Sequence, residues 1–534
     1  MRILNGEEIR QAEGEALTRP EVSSLVLIQR AGYAVAQFCM AHFKFRRVCV
    51  VCGAGKNGAY GLAAAEALRR IAEEVHAIVL VGSVDELSPD MAAVGARLGI
   101  EPAMVADAGD LEKEKVSEAL EADLIIDAIA DAGSGAPPND VARKAIECVN
   151  RASGVVVSLD LPAGADGDSR APLHERGPDV VLSHGIIAFI APRPAHVFGN
   201  LTSGPIAVSE LGVQPVLVTN KTGLSVVTGQ EAAIAFPPRP QDAHKGTFGH
   251  VLVIAGSLGK AGAAGLAGLS ALRTGAGLVT VACPKSIQAM VAGFAPELMT
   301  EGLAETADGS ISMEASDKTD ALLAGKSVVV VGPGLSGDEQ TAKFVRRLVT
   351  QCPLPLALDA DGLNAFAGNS GELKRCRALR VLTPHPGEAG RLLGVSTEEI
   401  NADRATMARR IADETGACVA LKGSRTVVAG VSGETWINMT GNPALAKGGS
   451  GDVLSGIIGA TLARNDGRTG EGISAFRNDV KVAAAVYLHG LTGDLARDEL
   501  HENTVVATDL LKSLAEAFRE CELQSDRGMF YLQR

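Results

Sequence analysis

The chain has 534 residues, too many for one ordinary hydrophobic core, so at least two domains are expected. Hydrophobic residues make up 46% and charged residues 21%, a globular mixture that excludes a disordered chain. Fifty Lys and Arg against 63 Asp and Glu give a formal net charge of −13, which argues against duplex DNA as the main partner, and 3% aromatics leave little for a base-stacking platform.

The first residues are polar and charged, with no apolar signal core, and helices are predicted at 7–17 and 24–42. A strand at 47–52 (RVCVVC) leads into a glycine-rich stretch, 53–61, and a helix at 62–71. Cys49 and Cys52 form a CxxC with no second CxxC or His pair to complete a zinc site, so they read as buried strand thiols, with a redox role as the alternative. Further strands are predicted at 76–81, 124–126, 155–159 and 180–182, with helices at 91–98 and 140–151. Residues 216–241 read as a connection, and the Pro-rich AFPPRPQDAHKG follows at 235–246. A second block has predicted strands at 250–255, 278–282, 327–331, 356–358, 381–382, 418–421 and 426–428, and helices at 264–274, 339–350, 404–415, 452–464 and 479–496. Short Val/Ile/Leu runs alternating with helices define an α/β chain with parallel sheets covered on both faces. The expected architecture is two three-layer αβα domains over 1–215 and 242–534, the first Rossmann-like. No apolar run reaches the roughly 18 residues that span a bilayer, and a soluble, cytoplasmic protein is expected.

The most informative segment is 441–464, GNPALAKGGSGDVLSGIIGATLAR. Gly448, Gly449 and Gly451 run straight into an apolar stretch of helical spacing. A glycine-rich turn at a helix N-terminus aims free N–H groups and the positive dipole end at one point. An anion hole of Gly449, Ser450 and Gly451 suits a transferring phosphoryl group. Asp452, in the first turn, is either a capping carboxylate or a base; Lys447 and three glycines beside one acid exceed what a cap needs. Five more polar or glycine-rich loops each follow a predicted strand: AGSLGKAGAA (255–264), GPG (332–334), DAD (359–361), TPHPGE (383–388) and KGSRT (422–426). Open α/β sheets bind ligands at such strand ends, so these loops are expected to cluster at one edge of one sheet.

Together with HKGTFGHVLVIAGS, ALRTGAGLVTV, VGPGLS, LDADGLN, LTPHPGEAGRLLG and HGLTGD, these motifs make roughly residues 242–511 resemble the ribokinase-like superfamily and, within it, the ADP/ATP-dependent NAD(P)H-hydrate dehydratases. Ser336 departs from the usual GPGLG. The resemblance implies repair of NADH or NADPH hydrated at carbon six of the nicotinamide ring, by phosphorylation of the hydroxyl and elimination. It assigns Asp452 as the base, and Lys422, Gly423, Ser424, Arg425, Thr426 and Gly451 to the adenine nucleotide. Ala263, Gly334, His385 and Asp452 would contact the hydrated dinucleotide. Mg²⁺ is implied with ADP or ATP, with Asp359 and Asp361 as candidate ligands.

The first block carries GAGKNGAYG at 53–61, whose Gly53, Gly55 and Gly58 form a GxGxxG; the acid expected to hold a ribose is not clear, since Glu73 and Glu74 precede the next strand. With LVLIQRAG, LIIDAIADAGSG, SLDLPAGAD and VFGNLTSGPIAVSELGV, residues 1–213 resemble the NAD(P)H-hydrate epimerase domain, the dehydratase's usual N-terminal fusion partner. That resemblance implies dinucleotide contacts from Lys56, Asn57, Gly58, Ala59, Tyr60 and Asp160, with Asp160 as acid or base, and K⁺ held by Asn57, Asp127 and Ala163. The pattern departs from the family's GNGNNGGDG: Lys56 and Tyr60 stand where Asn and Asp are usual. Ala163 stands in place of Ser and offers only a backbone carbonyl, and IADAG near 129–133 replaces FGTG. The Lys56 charge would repel a neighbouring cation or replace it. Two readings stay open for this block: an active epimerase, or a decayed domain that packs or binds dinucleotide. For the whole chain the alternatives are a vitamin or sugar kinase of the ribokinase superfamily with a non-catalytic first domain, and a non-catalytic dinucleotide sensor. The expected partners are the hydrated dinucleotide, an adenine nucleotide and further copies of the chain, with no nucleic acid and no membrane.

Overall fold

The computed structural model describes residues 1–130, 138–172, 179–213, 223–464, 478–524 and 529–533. Residues 131–137, which hold most of IADAG, and 214–222, at the start of the expected connection, lie outside that set. The chain divides into two compact units, Met1–Thr222 with Arg527–Arg534, and Gly223–Asp526.

The strands of the first unit are β1 (Arg47–Cys52), β2 (Glu74–Val79), β3 (Ala103–Met104), β4 (Leu124–Ala128), β5 (Val155–Leu159), β6 (Gly185–Phe189) and β7 (Ile206–Ser209). Those of the second are β8 (Leu224–Val226), β9 (His250–Ile254), β10 (Leu278–Pro284), β11 (Met299–Leu303), β12 (Val328–Val331), β13 (Leu356–Leu358), β14 (Arg380–Leu382), β15 (Cys418–Leu421), β16 (Val427–Ala429) and β17 (Thr435–Ile437). The last strand, β18 (Met529–Gln533), returns to the first unit.

Among the described residues the first sheet runs β18-β7-β6-β5-β4-β1-β2-β3, parallel except where β18 pairs antiparallel with β7. Its central strands β1, β4 and β5 are buried on both faces, as a helix-covered parallel sheet requires. Strand order reverses between β1 and β4, so the crevice at their C-terminal ends is the topological switch point. Cys49 and Cys52 sit three positions apart on β1 and so face opposite sides of the sheet; burial pushes the Cys49 thiol up to about 12 and raises Cys52 as well. Both are inert core residues.

The second sheet runs β11-β10-β9-β12-β13-β14-β15-β16-β17-β8, with the switch point between β9 and β12. From β11 to β15 it is parallel; β16 then pairs antiparallel with both β15 and β17. The helices Ala261–Thr274 and Ser450–Ala463 pack on each other, and a Cβ on Gly456 would fall 2.2 Å from the Ala267 carbonyl oxygen, so glycine permits that approach.

Several sequence expectations move. No strand forms at 180–182; the sheet uses β6 instead, because the buried GIIAF pairs with β5 while Leu182 stays exposed. The glycine-rich stretch after β1 is mostly helix, since Lys56–Leu68 begins at Lys56 with Gly55 as its N-cap. The second unit does not begin at 242 or run to 534: β8, inside the expected connection, pairs with β17, and β18 leaves for the first sheet.

Candidate active sites at the two switch points

In the second unit, the five parallel strands β9, β12, β13, β14 and β15 end on one edge, and each is followed by one of the expected loops. Gly332 has φ 128, and a Cβ there would lie 1.8 Å from the Asp359 carbonyl oxygen, so only glycine lets these loops meet. Gly334 and Ala263 come together: a Cβ on Gly334 would be 3.0 Å from that of Ala263. Next to them Asp361 accepts from the Ser336 N–H at 2.8 Å and pairs with Lys260 at 3.3 Å. Ser336 holds φ 74, a left-handed conformation that suits glycine, and its hydroxyl lies 2.6 Å from that of Ser310.

Asp359 anchors the centre. Its carboxylate accepts from Lys422 Nζ at 2.6 Å, Thr383 Oγ1 at 2.7 Å and Ser455 Oγ at 2.7 Å, and is 2% exposed. Lys422 also lies 3.8 Å from Glu388, which pairs with the half-exposed His385 at 3.4 Å. His385 caps the helix Pro386–Leu393, accepting from the N–H groups of Gly387 and Glu388. The neighbouring carboxylates hold Lys422 protonated against its burial.

The helix Ser450–Ala463 points its N-terminus at this cluster. Its N-cap, Gly449, has φ 94 and no side chain to satisfy the first amides. The first intrahelical bond is Val453 N–H to the Gly449 carbonyl at 3.1 Å, and the N–H groups of Gly451 and Asp452 have no partner among the described residues. A Cβ on Gly451 would sit 3.5 Å from Lys422 Nζ and 3.8 Å from Asp359 Oδ2, so the open amides and the buried ammonium share one spot. Burial pushes the Asp452 carboxyl up to about 6, with Asp359 and Asp361 adding to the rise and Lys422 opposing it. That is a base matched to neutral pH. The KGSRT loop is shaped by left-handed Gly423 (φ 140) and Arg425 (φ 56). It is fastened by Arg404, which donates to the carbonyls of Leu421 at 2.8 Å, Lys422 at 2.9 Å and Ser424. Arg404 opens its helix on the far side of the loop and carries no local signal of this role.

Asp359 and Asp361, the candidate Mg²⁺ ligands, are both engaged by protein groups. Lys422 and Thr383 hold Asp359 Oδ1 and Ser455 holds Oδ2, while Ser336 and Lys260 both hold Asp361 Oδ2. Among the described residues no group of three or more His, Cys, Asp or Glu is placed to hold a metal ion.

In the first unit, Asn57, Asp127, Asp160 and Ala163 meet at the ends of β1, β4 and β5. Asn57 donates to the carbonyls of Ala130 at 2.9 Å and Leu159 at 3.0 Å. Asp127 is fully buried, which raises its pKa, and it accepts from Ala163 N–H at 2.9 Å, Ser158 Oγ at 2.7 Å and Ile129 N–H at 3.2 Å. The Ala163 carbonyl takes the Val181 N–H at 3.0 Å. The Asp127 oxygens and the Ala163 carbonyl thus each accept from a protein donor, and a hard cation bound here would share them with those donors. Lys56 pairs with Glu13 and lies 5.9 Å over the Tyr60 ring. Ala59 and Tyr60 turn into the core, Tyr60 edge-on against Phe189, and a Cβ on Gly58 would lie 2.0 Å from the Gly53 carbonyl oxygen. Asp160 holds φ 60, and its buried Oδ1 has no hydrogen-bond partner. Arg193 Nε lies 3.6 Å from its other oxygen, and His196 Nε2 bonds its carbonyl at 2.5 Å. Glu73 and Glu74 lie at the start of β2, the opposite edge from the crevice.

Fold and sites define a chain of two α/β units, each with a cluster of polar groups at its switch point. The family model described as NAD(P)H-hydrate dehydratase matches residues 251–516, and that of the YjeF-related protein N-terminus matches 24–195. The bifunctional NAD(P)H-hydrate repair enzyme of Moorella thermoacetica is 34% identical, with 98% of this chain and 97% of the relative covered. That of Escherichia coli is 32% identical, with 95% and 92% covered. A solved ADP/ATP-dependent NAD(P)H-hydrate dehydratase from Bacillus subtilis is 31% identical over 56% of this chain and 99% of its own, with TM-score 0.46. The chain belongs to the bifunctional NAD(P)H-hydrate repair enzymes. Among the described residues no helix is long and apolar enough to cross a membrane.

Proposed function

We propose that the second unit returns hydrated NADH or NADPH to the reduced dinucleotide at the expense of ADP or ATP. A hydroxyl is a poor leaving group and a phosphate ester a good one. Asp452 takes the proton of the C6 hydroxyl as its oxygen attacks the terminal phosphorus of the nucleotide. The Gly451 and Asp452 amides and Lys422 receive the charge on the moving phosphoryl group. Loss of phosphate from C6 and of a proton from C5 then restores the ring double bond. The KGSRT loop and Gly451 would hold the nucleotide, and Ala263, Gly334 and His385 the hydrate. The observation that carries this reading is a carboxylate with pKa about 6 in the same helical turn as unpartnered amides, beside a buried ammonium.

The first unit would interconvert the two hydrate epimers with Asp160 as proton carrier. In support, its carboxylate has one unpartnered buried oxygen and a left-handed backbone held by His196. Nine free thiols suit a reducing, cytosolic compartment. The test supplies separated hydrate epimers with ADP or ATP and follows NADH absorbance. Conversion of both epimers well above the uncatalysed rate supports both halves, and conversion of one leaves only the second. Phosphorylation of a vitamin or sugar with no hydrate turnover would restore the kinase alternative.

A further inference from the structure

The HGLTGD motif, residues 489–494, lies within the helix Asn478–Leu500, outside the strand-end loops, and the reaction as derived uses none of it. His489, Gly490, Gly493 and Asp494 nevertheless all adjoin the segment 440–450. Asp494 accepts from the Gly441 N–H at 2.9 Å and the Asn442 side chain at 2.8 Å. Two turns back, the Tyr487 carbonyl accepts from the Thr440 hydroxyl at 2.8 Å. A Cβ on Gly490 would lie 2.6 Å from the Thr440 carbonyl oxygen, and one on Gly493 would lie 2.7 Å from Leu445. The far end of the segment is held by His489, whose Nε2 lies 3.0 Å from the Ser450 carbonyl oxygen and 3.2 Å from its hydroxyl.

Burial pushes the His489 imidazole down to about 4; the bond to Ser450 opposes the fall and Lys422 adds to it, so the ring is neutral at working pH. A carbonyl oxygen only accepts, so the tautomer must carry its proton on Nε2. That N–H fills an acceptor site on Ser450, and the hydroxyl hydrogen is left to point elsewhere. Ser450 is the first residue of the helix whose next two amides are open.

Resting on the phosphoryl-transfer reading above, we infer that His489 is a positioning residue, whose Nε2–H fixes Ser450 so that its hydroxyl and the Gly451 and Asp452 amides face the transferring phosphoryl group. Asp494 and the two glycines anchor the other end of the same segment.

The experiment compares His489→Gln, which keeps an N–H at similar reach, with His489→Phe, which keeps a ring and loses the donor, in the full-length chain. The expected result is His489→Gln within about threefold of wild-type kcat and His489→Phe down on the order of tenfold or more, with nucleotide Kd changed less than about twofold in both. Wild-type kcat in His489→Phe, or equal loss in the two variants, overturns the inference. If His489→Phe does not fold, Ser450→Ala decides: it should lower kcat several-fold at constant nucleotide Kd, and an unchanged kcat overturns the inference. Asp452→Asn serves as the control. If it abolishes repair while the His489 series is flat, only this inference fails; if it turns over normally, the phosphoryl-transfer reading fails first.

Discussion

Lys422, 20% exposed, pairs with Asp359 at 2.6 Å, and replacing it by methionine leaves the carboxylate, 2% exposed, without its counter-charge. Breaking one partner of such a pair costs about 3–5 kcal/mol. The Thr383 and Ser455 hydroxyls stay bonded to Asp359, which places the expected loss near the lower end, about 3 kcal/mol. Urea unfolding of the second unit measures it. Adding Asp359→Asn to the Lys422→Met background removes the stranded charge and should recover most of the loss, which a packing defect would not. The same substitution acts on the chemistry, because Lys422 lowers the Asp452 pKa. Without it the acid limb of kcat, at saturating nucleotide, moves to higher pH from its wild-type midpoint near 6. Activity should therefore fall more at about pH 6 than at about pH 8. A stability change below about 1 kcal/mol, or an acid limb that stays in place, would refute the reasoning.

Three further outcomes follow from the same geometry. The folded-state pKa of Asp452, about 6, lies above its ordinary value of 3.8, so the folded protein binds a proton more tightly than the unfolded chain between those values, and stability falls as pH rises through that window. Asp452→Asn should consequently stabilise the protein at about pH 8, by at most about 2–3 kcal/mol, with the gain gone below about pH 4; thermal unfolding across pH reads it. Arg404→Ala releases three carbonyls of the KGSRT loop and should raise the nucleotide KM roughly tenfold with kcat little changed. Gly332→Ala forces a Cβ to 1.8 Å from the Asp359 carbonyl oxygen at φ 128, and the second unit should lose several kcal/mol or fail to fold, as circular dichroism would show.

Much of the phosphate edge was legible in the sequence because its parts are local. A short Val-rich strand followed by GPG, DAD, TPHPGE or KGSRT announces both the element and the side of the sheet on which the loop emerges. The helix at 452–464 was equally plain, since an apolar run after GGSGD has one sensible start. What escaped depends on partners far away in the chain. Strand β6 rather than 180–182 enters the sheet because of its pairing with β5, and β18 joins β7 across the whole length of the second unit. Arg404 acts on backbone carbonyls, for which a sequence carries no motif. How the potassium candidates are held was equally out of sight: Asn57, Asp127 and Ala163 do meet, and Ser158, Ile129 and Val181 donate to the oxygens of Asp127 and Ala163.

The account stands on Asp452 drawing the proton from the hydrate's hydroxyl beside the open amides of its own helix. Single-turnover conversion of the hydrate to NADH by the Asp452→Asn variant, with nucleotide binding measured on the same preparation, addresses it directly. The expected result is unchanged nucleotide affinity and a rate lower by about 10²–10⁴-fold, the worth of a positioned general base. Regeneration of NADH by that variant at the wild-type rate would contradict it.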